Sequence, residues 1–291
     1  MTFILHTSGP VQVGSAVLGG ITNIGSALGS QVRGEPTSGE VTARVMAILA
    51  QKPTAEFTSE DIEAALAACG PMGASLAASP LVLFGSRILA GGMIDSASDH
   101  VSLTAGLGVL VPQTLQCSHQ GNASISFQAH PVSSDGVTCP WVLSTAAALP
   151  TITAANLYTL STAEIAGATI PQHTQISINF GLGVRTEGSS SNILDQIAAI
   201  RSILPTISIT SSKQGDLLTG GLTGISGAFS IVLRNRANGG GFGSKTVTLS
   251  GTCLALQEHP FRASGQGPAQ VGLQANVEWD GTNAPITYVG V

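Results

Sequence analysis

The chain has 291 residues, a formal net charge of −5, only 9% charged residues and a mean hydropathy of +0.34. That length supports one large or two ordinary domains, and the lack of any basic run excludes a tight electrostatic grip on nucleic acid. No stretch reaches the roughly 18 apolar residues of a membrane-spanning helix, so a poorly charged, apolar chain of this kind points to surface hidden against other copies.

The opening MTFILHTSGPVQVG lacks a basic segment and a cleavage pattern, so no secretory signal is expected. Next, Val32-Arg33-Gly34-Glu35 (VRGE) puts Arg33 and Glu35 on one side of a strand, because side chains alternate with period two. AEFTS is a strand running into TSEDIEAALAACG, where Thr58 or Ser59 can cap a helix, Glu60 and Asp61 suit its positive end and Gly70 can stop it. HVSLTAGLGVLV and ASISFQAHPV follow as strands, and DGVTCP (Asp135 to Pro140) closes the stretch with a tight turn.

The second half reads the same way: strands QISINFGLGV, TISITSS, FSIVLRNR, KTVTLSGTCLAL and QVGLQANVEW, then DGTNAP from Asp280 to Pro285. The match is colinear. VRGE recurs as Val184-Arg185-Thr186-Glu187 and PTAEFTS (from Pro53) as PTISITS (from Pro205), both 152 residues on. VSLTA recurs as VTLSG and QGNASISFQA as QGPAQVGLQA at 146 residues, and the Asp-Gly-x-x-x-Pro phrase at 145. Pro, Arg, Glu, Asp and Gln falling in order argue for an internal duplication, with domains at 1–150 and 151–291. The duplication predicts a weaker second helix over TSSKQGDLLTGG. It also predicts a strand over NILDQIAAIRSIL despite the helical spacing of Ile193, Ile197, Ile200 and Leu204. The expected fold is mainly β: two tandem β-sandwich or barrel-forming domains, each with a short flanking helix.

A strand bearing V-R-x-E, a strand running into P-T-x-x-x-T-S ahead of a helix, and a closing strand that ends in D-G-x-x-x-P resemble the tail tube proteins of long-tailed bacteriophages. The resemblance implies a β-sandwich with a helix and a hairpin reaching a neighbour, six such domains closing a ring through a shared inner barrel, and rings stacking into a tube. With two domains per chain it implies three chains per ring and pseudo-sixfold symmetry. It further implies a virion protein assembled in the host cytoplasm, meeting itself and tape-measure, terminator and distal tail proteins, with double-stranded DNA passing unbound and no membrane insertion. Other virion rings (a terminator, distal tail or head decoration protein) stay open as alternatives.

The charged residues are weighed in that light. Arg33, Glu35, Arg185, Glu187, Arg234, Arg236 and Phe242 are candidates for intersubunit contact, against a solvated strand surface. Residues 1–145 carry four Lys+Arg against nine Asp+Glu, and the remainder seven against seven. An acidic or neutral wall would repel phosphate, so Glu35, Glu40, Glu56, Glu187 and Asp195 are candidates for a lumen.

Chemistry finds little support in the sequence. GGGFGSKT (Gly239 to Thr246) departs from G-x-x-x-x-G-K-[ST], because Ser244 separates Gly243 from Lys245, and it is read as a hairpin tip. Asp95, Asp99 and His100 lack a G-x-S-x-G partner. The other histidines are isolated, and Cys69, Cys117, Cys139 and Cys253 form no metal or disulfide spacing and are read as small buried thiols. Neither an enzyme nor a cofactor is expected. A glycan-binding β-sandwich would want aromatic platforms, and only Trp141, Trp279, Tyr158 and Tyr288 are offered besides phenylalanine.

Overall fold

Short runs of alternating β-branched and small polar residues, punctuated by glycine, write most of this chain as strands. The computed structural model describes residues 5–36, 43–88, 94–95, 100–152, 154–170, 173–212, 224–237, 241–262, 270–279 and 281–291. In chain order, the first half holds β1 (Leu5–Val13), β2 (Ala16–Leu18), β3 (Ile21–Ala27), β4 (Ser30–Pro36), β5 (Ala43–Gln51), β6 (Thr54–Ser59), α1 (Ile62–Cys69), β7 (Ala74–Ser75), β8 (Leu81–Ile88), β9 (His100–Ala105), β10 (Gly108–Ser118), β11 (Ser124–Pro131) and β12 (Trp141–Ala147). The second holds β13 (Tyr158–Ile165), β14 (Ala168–Thr169), β15 (His173–Asn179), β16 (Leu182–Glu187), β17 (Ile197–Ile203), β18 (Thr206–Ser211), β19 (Ile225–Arg236), β20 (Phe242–Arg262), β21 (Gln270–Val277) and β22 (Thr287–Gly290).

The protein is mainly β, built on large antiparallel sheets of the β-sandwich type. One sheet runs β12-β9-β8-β1-β2. A longer one runs β14-β13-β19-β20-β21-β18-β15-β10-β11-β6-β3, with β22 on β20 and β7 on β10. Two hairpins, β4-β5 and β16-β17, stand apart as two-stranded sheets. Of NILDQIAAIRSIL, Ile197–Ile203 is a strand, because β17 pairs with β16 and tertiary pairing overrides the helical spacing, while residues 192–196 lead into it outside the strand.

Pairing registers repeat between the halves. Ser59 faces Ile125 across β6-β11, and Ser211 faces Val271 across β18-β21, the same pair moved on by 152 and 146 residues. The slip between Ile21 and Asn23 on β3 recurs between His173 and Gln175 on β15. Arg33 faces Ala47 as Arg185 faces Ala199, and Glu35 faces Val45 as Glu187 faces Ile197. The halves differ at one join. Residues matching β9 and β10 form the single 21-residue strand β20, whereas in the first half Gly106 and Leu107 interrupt the run. Gly108 resumes it at φ +120°, where a Cβ would strike the His130 carbonyl.

α1 forms where expected but is capped by Asp61 and not by Thr58 or Ser59, which end strand β6: the Asp61 carboxylate accepts from the Ala64 N–H at 3.4 Å, and the Gly70 N–H (φ +69°) donates to Leu66. Ile62, Ala65, Leu66 and Cys69 are its buried stripe, at helical spacing. Its second-half counterpart lies mostly outside the described residues. Phe57 and Phe127, Cα partners across β6-β11, stack with ring centroids 5.1 Å apart. They share one apolar cluster with Val11, Leu81 and Leu66, and with Ile209, Phe229 and Leu249 of the second half. Cys69, Cys117 and Cys253 are buried as expected, and burial pushes their thiols up, to about 12 for Cys69 and Cys117 and about 11 for Cys253. Cys139 is exposed, contrary to expectation, because it sits in the Asp135–Pro140 turn outside the sheets.

Candidate assembly interface

The two halves meet strand to strand. β10 presents its free edge to β15 in antiparallel register from Thr114↔Asn179 to Ser118↔Gln175. The ladder extends at both ends, His119 N–H donating to Thr174 at 2.9 Å and Phe180 N–H to Gln113 at 3.0 Å. Odd-numbered residues of β10 therefore exchange bonds with β15, and Thr114 turns its N–H the other way, to the Ser126 hydroxyl at 3.3 Å.

Side chains reinforce the joint. The Tyr158 hydroxyl donates to Glu63 Oε2 at 2.6 Å, and Lys245 Nζ lies 3.8 Å from the same oxygen. Burial raises the Tyr158 phenol above its ordinary range, helped by the adjoining carboxylates of Glu63 and Asp61. Asp61, buried, also accepts from the Asn156 N–H at 3.2 Å. Burial raises its carboxyl, and the Asn156 and Ala64 N–H groups pull it back down. Arg236 donates to the Gln120 carbonyl, a contact made across the joint by a residue expected to face a neighbour. Gln120 takes the left-handed conformation at φ 64°.

A third contact joins loop to hairpin. Asp135 accepts from the N–H groups of Val137 (2.9 Å) and Thr138 (2.7 Å), from the Thr138 hydroxyl (2.7 Å) and from Ser133 (2.8 Å). Those donors, the Thr138 hydroxyl foremost, hold its carboxyl well below the usual carboxylate range. The loop so fixed grips the segment before β17: Ser133 N–H donates to Asp195 O at 2.8 Å and Leu194 N–H to Gly136 O at 3.0 Å.

From β6 to β21 the long sheet turns one side to the apolar cluster and leaves the other to polar groups, whereas on β20 that side shows Leu254 and Leu256, on β19 Arg234 and on β13 Glu164. β18 shows Thr206, Ser208 and Thr210 there, between buried Ile207, Ile209 and Ser211. β15 shows Gln175, Ser177 and Asn179. β10, β11 and β21 continue with Gln116, Ser126, Gln128, Gln274 and Asn276. On β6 the same side carries Glu56, exposed between Thr54 and Thr58. On β11 it carries His130, which burial keeps towards its neutral form.

Among the proposed lumen carboxylates, Glu56 alone is brought to this side. Glu187 is on the β16-β17 hairpin and Asp195 just before β17. Glu35 is on β4, its side chain outside what is described, and Glu40 lies outside the described residues. Arg185 and Glu187 do share a side of β16, with Nε 2.6 Å from Oε1, and Arg201 approaches the same oxygen at 4.0 Å. Arg33 is exposed at the matching place on β4. The Arg234 guanidinium lies 6.0 Å from the centroid of the exposed Phe242 ring. That hairpin closes with Ala237 N–H donating to Gly241, its tip at 238–240 lying outside the described residues.

Sequence reasoning missed Glu63, Tyr158, Gln120 and the Ser133–Asp135 clasp. Only Asp135 carried a signal, through its repeated phrase. Among the described residues no group of three His, Cys, Asp or Glu side chains could hold a metal, and no helix is long and apolar enough to cross a membrane. No protein-family model matches the chain, and no curated protein matches it significantly.

Proposed function

We propose that this protein is a structural subunit that assembles with copies of itself into rings, which stack as a tube of the kind found in long-tailed phages. One observation carries the reading: the join between β10 and β15 puts β3, β6, β11 and β10 in one sheet with β15, β18, β21 and β20, eight strands whose first edge, β3, has no partner strand among the described residues. An open edge of this sort is a pairing template unless it is blunted or covered, and closure into a barrel removes it. Three copies contribute three times eight strands, 24 in all, and make a pseudo-sixfold ring.

The open side of that sheet would then face the lumen. Hydroxyls and amides, a carboxylate at Glu56, the exposed Leu254 and Leu256, and no Lys or Arg among its described side chains offer DNA no salt-dependent hold. The passing duplex is accordingly guided and not bound. Ends of the stack would meet tape-measure, terminator and distal tail proteins within the virion, after assembly in the host cytoplasm.

Negative-stain electron microscopy of the purified protein tests this reading. Stacked rings with a hollow centre are expected; monodisperse globules at high concentration would overturn it.

A further inference from the structure

The β10-β15 joint and the seating of the Ser133–Gly136 loop each leave a matching surface at the chain's two ends without a partner among the described residues. β15 covers its edge with β10, and there Ile176 and Ile178 are fully buried. The matching residues of β3 are Ile24, only partly buried, and Ser26, exposed. The Ser133–Gly136 loop is seated on Asp195 and Leu194. Its counterpart leaves Trp279 52% exposed, beside a cavity of about 240 Å³ that Glu278, Asn283 and Pro285 help to line.

The geometry points to a second copy of this chain as the occupant, docked by a replay of the internal joint. This rests on the ring reading above and adds to it a register. Moving the β10 residues on by 146 and the β15 residues back by 152 converts Thr114↔Asn179, Leu115↔Ile178 and Gln116↔Ser177 into Pro260↔Ala27, Phe261↔Ser26 and Arg262↔Gly25. At Arg262 the 146-residue shift holds on β20 itself, since Arg262 faces Gln270 as Gln116 faces Ser124; ahead of it the strand slips by one residue, His259 facing Gly272 where Thr114 faces Ser126.

Proline fits this register. In sequence Pro260 matches Thr114, whose N–H points to β11 and is not used by the joint; Pro260 itself falls in the irregularity between His259 and Arg262, so its missing donor costs neither ladder a bond. In the same replay Trp279 and Gly281 of one copy rest against Ala43, the first residue of β5, in the next, as Ser133 and Gly136 rest against Leu194 and Asp195 ahead of β17. The interface is head-to-tail: β20 and the Trp279 loop are given by one copy, β3 and the β4-β5 hairpin received by the next. A contact of that kind makes closed rings when its rotation closes.

Gly25 and Arg262 form a pair without mutual backbone bonds, the type that brings Cα atoms to about 4.5 Å, within disulfide reach. In a Cys139→Ser background, which removes the exposed thiol, the Gly25→Cys/Arg262→Cys variant should oxidise into dimers and trimers on a non-reducing gel. Gly25→Cys/Phe261→Cys should stay monomeric, because a one-residue slip turns the second side chain to the opposite face. If the first variant fails to assemble under reducing conditions, Ala27→Cys/Pro260→Cys, two residues along the same register, carries the same expectation. Hollow rings without a covalent ladder, or with equal ladders in both variants, would overturn this joint and leave the ring reading standing. A wild-type protein that forms no ring at all overturns both.

Discussion

The Tyr158 hydroxyl meets Glu63 Oε2 at 2.6 Å across 95 residues of sequence, tying the helix of the first half to the opening strand of the second. Tyr158→Phe removes the donor and leaves a half-buried carboxylate with Lys245 at 3.8 Å as its remaining charged partner. Hydrogen bonds to charged groups contribute about 1.5–3 kcal/mol, so a loss near the lower figure is expected in urea unfolding, with an unchanged slope. Glu63→Gln, which can still accept, should lose less.

The same pair sets a pH dependence at the alkaline end. The folded protein holds the Tyr158 phenol above its ordinary value of 10.0, so the neutral form is favoured by folding. This contribution is fully present below the unfolded value and is lost as pH rises through the folded one. Of the two tyrosines, Tyr158 should ionise only at the alkaline extreme when absorbance at 295 nm is followed. Tyr158→Phe should abolish that late step; its persistence would assign the step to Tyr288.

Asp135 works in the acid direction. Its folded-state pKa lies below the ordinary 3.8, so the clasp is intact above that value and is released as pH falls through the folded one. Hydrogen exchange at the Val137 and Thr138 amides should be slow from pH 8 down to about 4 and accelerate, after correction for intrinsic rates, at lower pH. Asp135→Ala should show the fast exchange at every pH, and should also expose the Leu194 amide that bonds Gly136.

Glu56→Lys would turn the one described carboxylate on the open side of the eight strands from β3 to β20 into a cation, three per ring of three copies. Assembled wild-type tubes should retain no duplex DNA at low salt in a co-sedimentation assay. Tubes of the variant should retain it, and release it as salt rises. Strong retention by the wild type would defeat the neutral-wall reading.

In the core, Phe57→Ala should cost about 3–5 kcal/mol, since the ring is fully buried against Phe127. Arg185→Ala, by contrast, should change stability by about 0–1 kcal/mol, because its ion pair with Glu187 is more than half exposed. Thermal or urea unfolding of both variants measures the contrast.

How far the sequence could be read follows from what each feature needs. α1 was legible because its apolar stripe and its Gly70 stop are local, although its cap fell on Asp61, two or three residues beyond the Thr58 or Ser59 expected, because β6 runs on to Ser59. The strand over Ile197–Ile203 was legible only through its duplicate, since its own spacing is helical. The Arg185–Glu187 pair followed from strand alternation alone. Tyr158 with Glu63, and Arg236 with Gln120, were illegible because both join residues more than 90 apart, in halves whose docking no local pattern encodes. The acidic expectation spread over five carboxylates because sign was visible and facing was not. Facing depends on which strands join the long sheet, and β16 and β17 stay out of it.

β20 carries 21 residues without a break, which at about 3.3 Å each is a rod of roughly 70 Å. Its early residues pair with β19 and β22, its later ones with β21. One strand thus takes part in both sets of pairings in the second half. In the first half the interruption at Gly106 and Leu107 splits the matching run into β9, in the five-stranded sheet, and β10, in the long one. Tension along the backbone would pass between the two sets through a continuous strand in one half and through a two-residue link in the other.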